Sequence, residues 1–493
     1  MIKNIKWLLL VSLTFVACNS NDDTTAVSNS SDGLPLTAGT ADFSKYVALG
    51  NSLTAGYSDG TLFIEGQKGS WTNVLSQQFA LVGGGDFKIP YMADNVGGFK
   101  IGGTVFQGPR LYFNGVGPVP VAGTPSTEIT NHLTGPFNNM GVPGAKSFHL
   151  LAPNYGNPAG LATGASNPFF VRFASTPSAT ILGDAMAQAP TFFTLWIGNN
   201  DVLSYATTGG IGTNQTGNLN PATYGGNDIT DPNVFASVYS TLINTLTSNG
   251  AKGAVSNIPY VTSVPFFTTV PYNPIPLAAA NVAALNSPGG YGNYNLGLIA
   301  AKNAGLITDA ERLQRTINFV VGKNAPVIVD EYLTPVNVPG LVLPKYRQAT
   351  ALDYIVLSSG GVSAQANFLA GGGTSVPLAD NWVLSKNEVA EVRTATDAYN
   401  ATIQSIATSK GLAIVDANSI LFKIANGGVL SNNFLITSAY VTGGGFSLDG
   451  VHPSARGYAL IANEFMKAIN TTYGSNLKGV DVGTYRIQYP SSL

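Results

Sequence analysis

An α/β architecture on a parallel sheet is the fold class predicted for this 493-residue chain, on three observations. Short apolar runs alternate with helical patterns, which suits neither an all-α nor an all-β domain. Four of the runs, 46–49, 191–197, 253–258 and 412–415, are continuously apolar, as strands buried on both faces of a sheet are. Between them, apolar residues recur at i, i+3, i+4 and i+7, the period of helices with one buried face.

The elements follow in order. Met1-Ile-Lys-Asn-Ile-Lys6 precedes an apolar run, 7–17, that is too short to span a bilayer but has the length of a signal-peptide core, so the chain is expected to be exported. The single cysteine, Cys18, directly follows that run, in the pattern of a bacterial lipobox whose cysteine carries lipid; an ordinary signal peptide cut near Ala17 is the alternative. Either way, no disulfide can form within the mature chain. Residues 1–18 are read as a lipoprotein signal peptide and 19–42 as a solvated, disordered tether rich in Ser, Thr, Asn and Asp. The folded domain is expected over 43–475, followed by a C-terminal tail, 476–493, with no readable role.

Within the domain, strand 46–49 runs into Gly50-Asn51-Ser52, and strand 191–197 into Gly198-Asn199-Asn200-Asp201. A helix over 234–246 starts at Pro232-Asn233 and turns Phe235, Val238, Tyr239, Leu242, Ile243 and Leu246 inward. Ser385-Lys-Asn-Glu388 has the spacing of a capping box and opens a helix that Gly411 ends. The Gly- and Pro-rich stretches 83–136, 207–231, 261–292 and 335–380 show no repeat period and read as insertions on one sheet. The apolar stretch 260–285, with Phe266 and Phe267, is either a wall for a lipid substrate or buried packing.

Only 10% of residues are charged, against about 25% in typical soluble proteins, and the formal net charge is -2. A nucleic-acid partner calls for a clustered basic face and is excluded on this composition.

Chemistry concentrates where strands end. A serine at a strand-to-helix turn sits at the carboxyl edge of the sheet, where open α/β folds place ligands, although such a serine is more often a helix cap. Ser447-Leu-Asp449-Gly-Val-His452-Pro holds one of three histidines, three residues after an aspartate. One turn can bring the two together, with the carboxylate fixing the imidazole tautomer and the other ring nitrogen taking a hydroxyl proton. Asp-x-x-His can equally be half a metal site, but no matching cluster of His, Cys and acids is apparent elsewhere. His132 and His149 read as structural, hydrogen-bonded histidines. The Asn200 amide and the N–H of a loop glycine in Asn139-Met-Gly141-Val-Pro-Gly144 are candidate donors to a developing oxyanion.

Taken in order, Gly50-Asn51-Ser52-Leu53, the Gly144 loop, Gly198-x-Asn200-Asp201 and Asp449-x-x-His452-Pro453 resemble blocks I, II, III and V of the SGNH (GDSL-like) hydrolases. The resemblance implies a three-layer flavodoxin-like fold with a parallel sheet and long loop insertions. It further implies a serine esterase or lipase that hydrolyses carboxylic esters through an acyl-enzyme. Ser52 would be the nucleophile, His452 the general base and then acid, and Asp449 its orienter. Ser52 N–H, Gly144 N–H and the Asn200 side chain would form the oxyanion hole, and no metal or other cofactor would be needed. Gly144 is preferred to Gly141 because the family pattern has an asparagine five residues earlier, as Asn139 is. The chain departs from the family at Asn51, where an aspartate is usual; that carboxylate has no proton-transfer role, so activity is expected to survive. Expected partners are an ester substrate, lipid or acylated carbohydrate, and a membrane reached through Cys18 at the outer membrane or cell surface. Two alternatives stand: an acyltransferase with the same triad, and a non-catalytic surface lipoprotein that binds glycans or lipids.

Overall fold

Residues 34–493 are described by the computed structural model. The expected leader with Cys18, and the expected tether as far as residue 33, lie outside the described residues.

Five short strands form the central sheet: β1 (Tyr46–Gly50), β2 (Asn139–Gly141), β3 (Phe192–Trp196), β4 (Lys252–Ser256) and β5 (Ala413–Val415). Their order is β5-β4-β3-β1-β2, and every pairing is parallel. This is the 2-1-3-4-5 order of one common doubly wound arrangement, whose switch point lies between β1 and β3. Four of the strands coincide with the apolar runs to within two residues, β1 reaching Gly50 and β4 starting at Lys252. Strand β2 does not, because Asn-Met-Gly is three residues long and carries no apolar run of its own.

The two-residue period of the strands divides the core in two. Val47 and Leu49 of β1 join Phe193 and Leu195 of β3 in one layer, with α4 (Pro232–Leu246) and α5 (Lys386–Ser409). Tyr46 and Ala48 join Phe192 and Trp196 on the opposite face, under α2 (Trp71–Ala80) and α7 (Ala455–Tyr473). Both faces are therefore dry, which is why the strands read as unbroken apolar runs rather than alternating ones. Helix α4 starts where Asp231 accepts the N–H groups of Asn233 and Val234, with Pro232 at its first position. Helix α5 starts where the Glu388 carboxylate accepts the Ser385 N–H at 2.6 Å.

The stretch between α4 and α5 beyond β4 carries small two-stranded ribbons and short helices with satellite cores of their own. Arg347, fully buried, joins Asp330 to Asp353 there, and the Arg347 guanidinium holds the Asp353 carboxyl below the usual range against the effect of burial. Among the described residues no helix is long and apolar enough to cross a membrane.

Both ends of the domain differ from expectation. Within the stretch expected to be tether, the Thr37 N–H donates to Asn476, Thr40 N–H to Tyr473 O, and Ala41 is buried, so ordered packing begins before residue 43. The tail is packed too: Val482 is fully buried, the Tyr489 hydroxyl donates to Glu65 O, and the buried Arg110 donates to Pro490 O. Neither segment announces this in sequence, because each docks through a few main-chain bonds and one or two apolar residues.

Candidate active site

The register aligns Gly50 with Trp196 and Gly141, and Val415 with Ser256, so the residues following each strand collect at one carboxyl edge. Gly50 is required there: a Cβ on it would lie 2.2 Å from Thr54 Oγ1 and 2.4 Å from Trp196 O. The chain then turns directly into α1 (Ser52–Ala55), with Asn51 as N-cap accepting the Leu53 N–H at 3.0 Å. Ser52 thus stands at the first helical position, beside the switch point, with only 6% of its surface exposed.

Four hundred residues later, the chain reaches the same edge in the loop before α7. That loop closes on itself through Ser447 N–H to His452 O and Gly450 N–H to Ser447 O. His452 Nε2 lies 2.9 Å from Ser52 Oγ, and His452 Nδ1 lies 2.9 Å from Asp449 Oδ2. The Asp449 carboxylate also accepts the N–H groups of Gly60, Val451 and His452 and the Ser447 hydroxyl. Burial would raise its pKa, but His452 and these donors outweigh burial and hold it below the ordinary carboxylate value. Asp449 stays ionised at neutral pH, and with Nδ1 tied to it the imidazole offers Nε2 to Ser52.

Asn200 opens α3 (Asn200–Thr207) just after β3. One of its amide hydrogens goes to Ala145 O at 2.9 Å, leaving the second free to donate. Gly141 N–H is already engaged by Asn139 Oδ1 at 2.9 Å, whereas Gly144, with φ +81°, has an N–H with no acceptor among the described residues. The Ser52 N–H, in the first turn of α1, likewise has none. Asn51, the departure from the family pattern, donates its amide to Asn199 Oδ1 at 3.2 Å and so ties the β1 turn to the β3 turn. Asp201 points away from this edge and accepts both the N–H and the hydroxyl of Ser147.

The other two histidines bond elsewhere. His132 Nε2 meets Ala174 O, and His149 Nδ1 accepts the Lys146 N–H while its ring stacks on Tyr155. Burial, reinforced by the nearby Lys146, pushes the pKa of His149 down to about 3.

Residues with no assigned role in the sequence support the constellation. The Tyr57 ring lies 4.5 Å from the His452 ring, and Asp59 accepts Leu448 N–H while its own N–H donates to Ser447 Oγ. Asp59-Gly60 shows only a turn signal in sequence; nothing local says that the turn faces residues 447–449.

Beside Ser52 and His452 opens a narrow cleft of about 100 Å³. Apart from the polar groups of the edge, its walls are apolar, with Val264, Ile420, Leu421, Ile424, Leu460 and Ile461 among them. The stretch 260–285 contributes both to the cleft lining and to buried packing. Val261 and Val264 line the cleft, while Phe267 is buried in packing and the Phe266 main chain bonds to Gly450 and Leu357.

No protein-family model matches the chain, and no curated protein matches it. Among solved structures it is similar to LAE5, an alpha/beta hydrolase enzyme from the metagenome of Lake Arreo, Spain, at 11% identity, covering 87% of this chain and 96% of that one, with a TM-score of 0.32. A likeness of that size says nothing about activity here.

Proposed function

We propose that this chain is a serine ester hydrolase of the SGNH type, acting on esters with an aliphatic acyl group. The observation that carries the reading is the relay Ser52–His452–Asp449, with both hydrogen bonds at 2.9 Å, at the mouth of an apolar cleft. In this reading Ser52 Oγ attacks the ester carbonyl as its proton passes to His452 Nε2. Asp449 holds the imidazole in the required tautomer and stabilises the imidazolium that forms. The free N–H groups of Ser52 and Gly144 and the second amide hydrogen of Asn200 receive the oxyanion. His452 then protonates the leaving alcohol, which departs, and removes a proton from the water that releases the acid. The apolar walls favour an aliphatic chain over a sugar or a charged group, because a desolvated polar group would find few partners there. Placement at an outer membrane through Cys18 belongs to the same proposal and would bring the cleft to lipid or cell-envelope esters.

Hydrolysis of a p-nitrophenyl ester series, from acetyl to dodecanoyl, by the protein starting after Cys18 tests this directly. Ser52→Ala is expected to lower kcat by about 10⁴-fold or more at every chain length. Turnover unchanged in that variant, or no turnover by folded wild-type protein on any ester, would sink the hydrolase reading.

A further inference from the structure

Away from the triad, three acidic side chains converge: Glu331, some fifty residues earlier in the chain, joins Asp380, just before α5, and Glu388 from the first turn of α5. One carboxylate oxygen of each lies within 4.8 Å of one from each of the others. Glu388 is fully buried. Its carboxylate accepts the Ser385 N–H through Oε2, but Oε1 has no hydrogen-bond partner among the described residues. The packing around it leaves no room for a side chain, since a Cβ on Gly210 would fall 1.8 Å from Oε1.

Grouped carboxylates of this kind, one with a buried oxygen lacking a donor, need positive charge or protons to coexist. Proton sharing is one way to relieve this, and a divalent cation is the other. The donor set is all oxygen, as hard cations prefer, and oxygens up to about 5 Å apart fit around one ion at calcium–oxygen distances of about 2.4 Å. Glu331 is exposed, which gives solvent and ion a path in and leaves coordination positions for water.

We propose that Glu331, Asp380 and Glu388 form a calcium-class cation site that joins the insertion to helix α5. Glu331 follows the strand 327–329 and Asp380 precedes the strand 383–384, so an ion bound to both and to Glu388 ties these parts of the insertion to the start of the helix. The same ion neutralises the charge beneath Gly209-Gly210, where α3, the helix that opens with Asn200, ends. The site is structural and does not touch Ser52 or His452.

The test uses the protein starting after Cys18, freed of metal with EDTA and then dialysed, and titrated by calorimetry with calcium chloride and separately with magnesium chloride. One equivalent of calcium is expected to bind, and millimolar calcium to raise Tm by roughly 2–5 °C over EDTA. Glu331→Gln and Asp380→Asn, both outside the buried cap, are expected to weaken calcium binding by about tenfold or more and to shrink the calcium-dependent rise in Tm. Their Tm in EDTA should match or exceed the wild type, since each removes repulsion; this separates loss of a ligand from loss of structure. Wild-type protein with neither binding heat nor a Tm shift for either ion would overturn the proposal in favour of shared protons. Undiminished calcium binding in both variants would overturn it by placing the ion elsewhere.

Discussion

Asp59 lies just behind Asp449, and the two carboxylates are handled in opposite ways. Asp449 has donors on both oxygens, whereas Asp59 has Leu448 N–H on Oδ1 and no partner for Oδ2 among the described residues. Burial, with the neighbouring Asp449 charge adding to it, pushes Asp59 up to about 7. The sign follows: the folded state holds this proton more tightly than the unfolded chain, so the contribution to stability is full below the unfolded value of about 3.9. It is lost as pH rises through about 7. Asp59→Asn keeps the Oδ1 acceptor and suits the residue's φ of 51°, a region asparagine visits readily. Denaturant unfolding should therefore show the wild type losing about 2–4 kcal/mol more than the variant between pH 4 and pH 8. Parallel pH profiles for the two proteins would refute this. The Asp449-x-x-His452 turn was legible from residue type and spacing, whereas Ser52 alone read as readily as a helix cap and took its expected role from the family resemblance. Asp59 was not legible, because its significance lies in a contact 389 residues away along the chain.

Helices α6 (Ala417–Ala425) and α7 carry the walls of the cleft. Leu421 and Ile424 lie three residues apart on one face of α6 and line the cleft together with Leu460 and Ile461 of α7, so under the proposed function these side chains would bound the acyl chain. Ile424→Trp adds volume to a wall of the cleft without replacing any residue of the edge that holds Ser52. It is expected to lower kcat/KM for dodecanoyl esters by about tenfold or more, a loss of about 1.4 kcal/mol, with acetyl ester hydrolysis within about twofold of wild type. An equal loss at all chain lengths would mean that the acyl group lies elsewhere. The frame of α4 and α5 was readable because caps and the 3.6-residue period are local signals. Which helices would face each other across a cleft was not, since an apolar stripe looks the same whether it meets a neighbouring helix or a ligand.

Across the whole molecule, the tail braces the loop that carries His452. Arg456, four residues on, donates to Val482 O and Tyr485 O, and Tyr489 packs edge-on against Phe63 with their ring centroids 5.0 Å apart. Removing residues 478–493 exposes the pocket of Val482 and Tyr489, a loss of about 3–6 kcal/mol from two buried side chains and their bonds, and should lower Tm by several degrees. An unchanged Tm in thermal unfolding would show the tail to be dispensable. By itself, the amino-acid sequence determined what depends on neighbours along the chain: unbroken apolar strands that must be buried on both faces, the caps that start α4 and α5, and an Asp-x-x-His turn able to fix a tautomer. The tertiary structure alone decided what depends on residues far apart in sequence. The parallel register brings Ser52, Asn200 and the 449–452 loop to one edge; side chains of α6, α7 and the segment 259–264 line an apolar cleft there; and the insertion carries Glu331 and Asp380 onto Glu388. The physical reason is that side-chain chemistry and backbone propensity act over a few residues, whereas burial, electrostatic coupling and cavity shape depend on distances that only the packed chain defines.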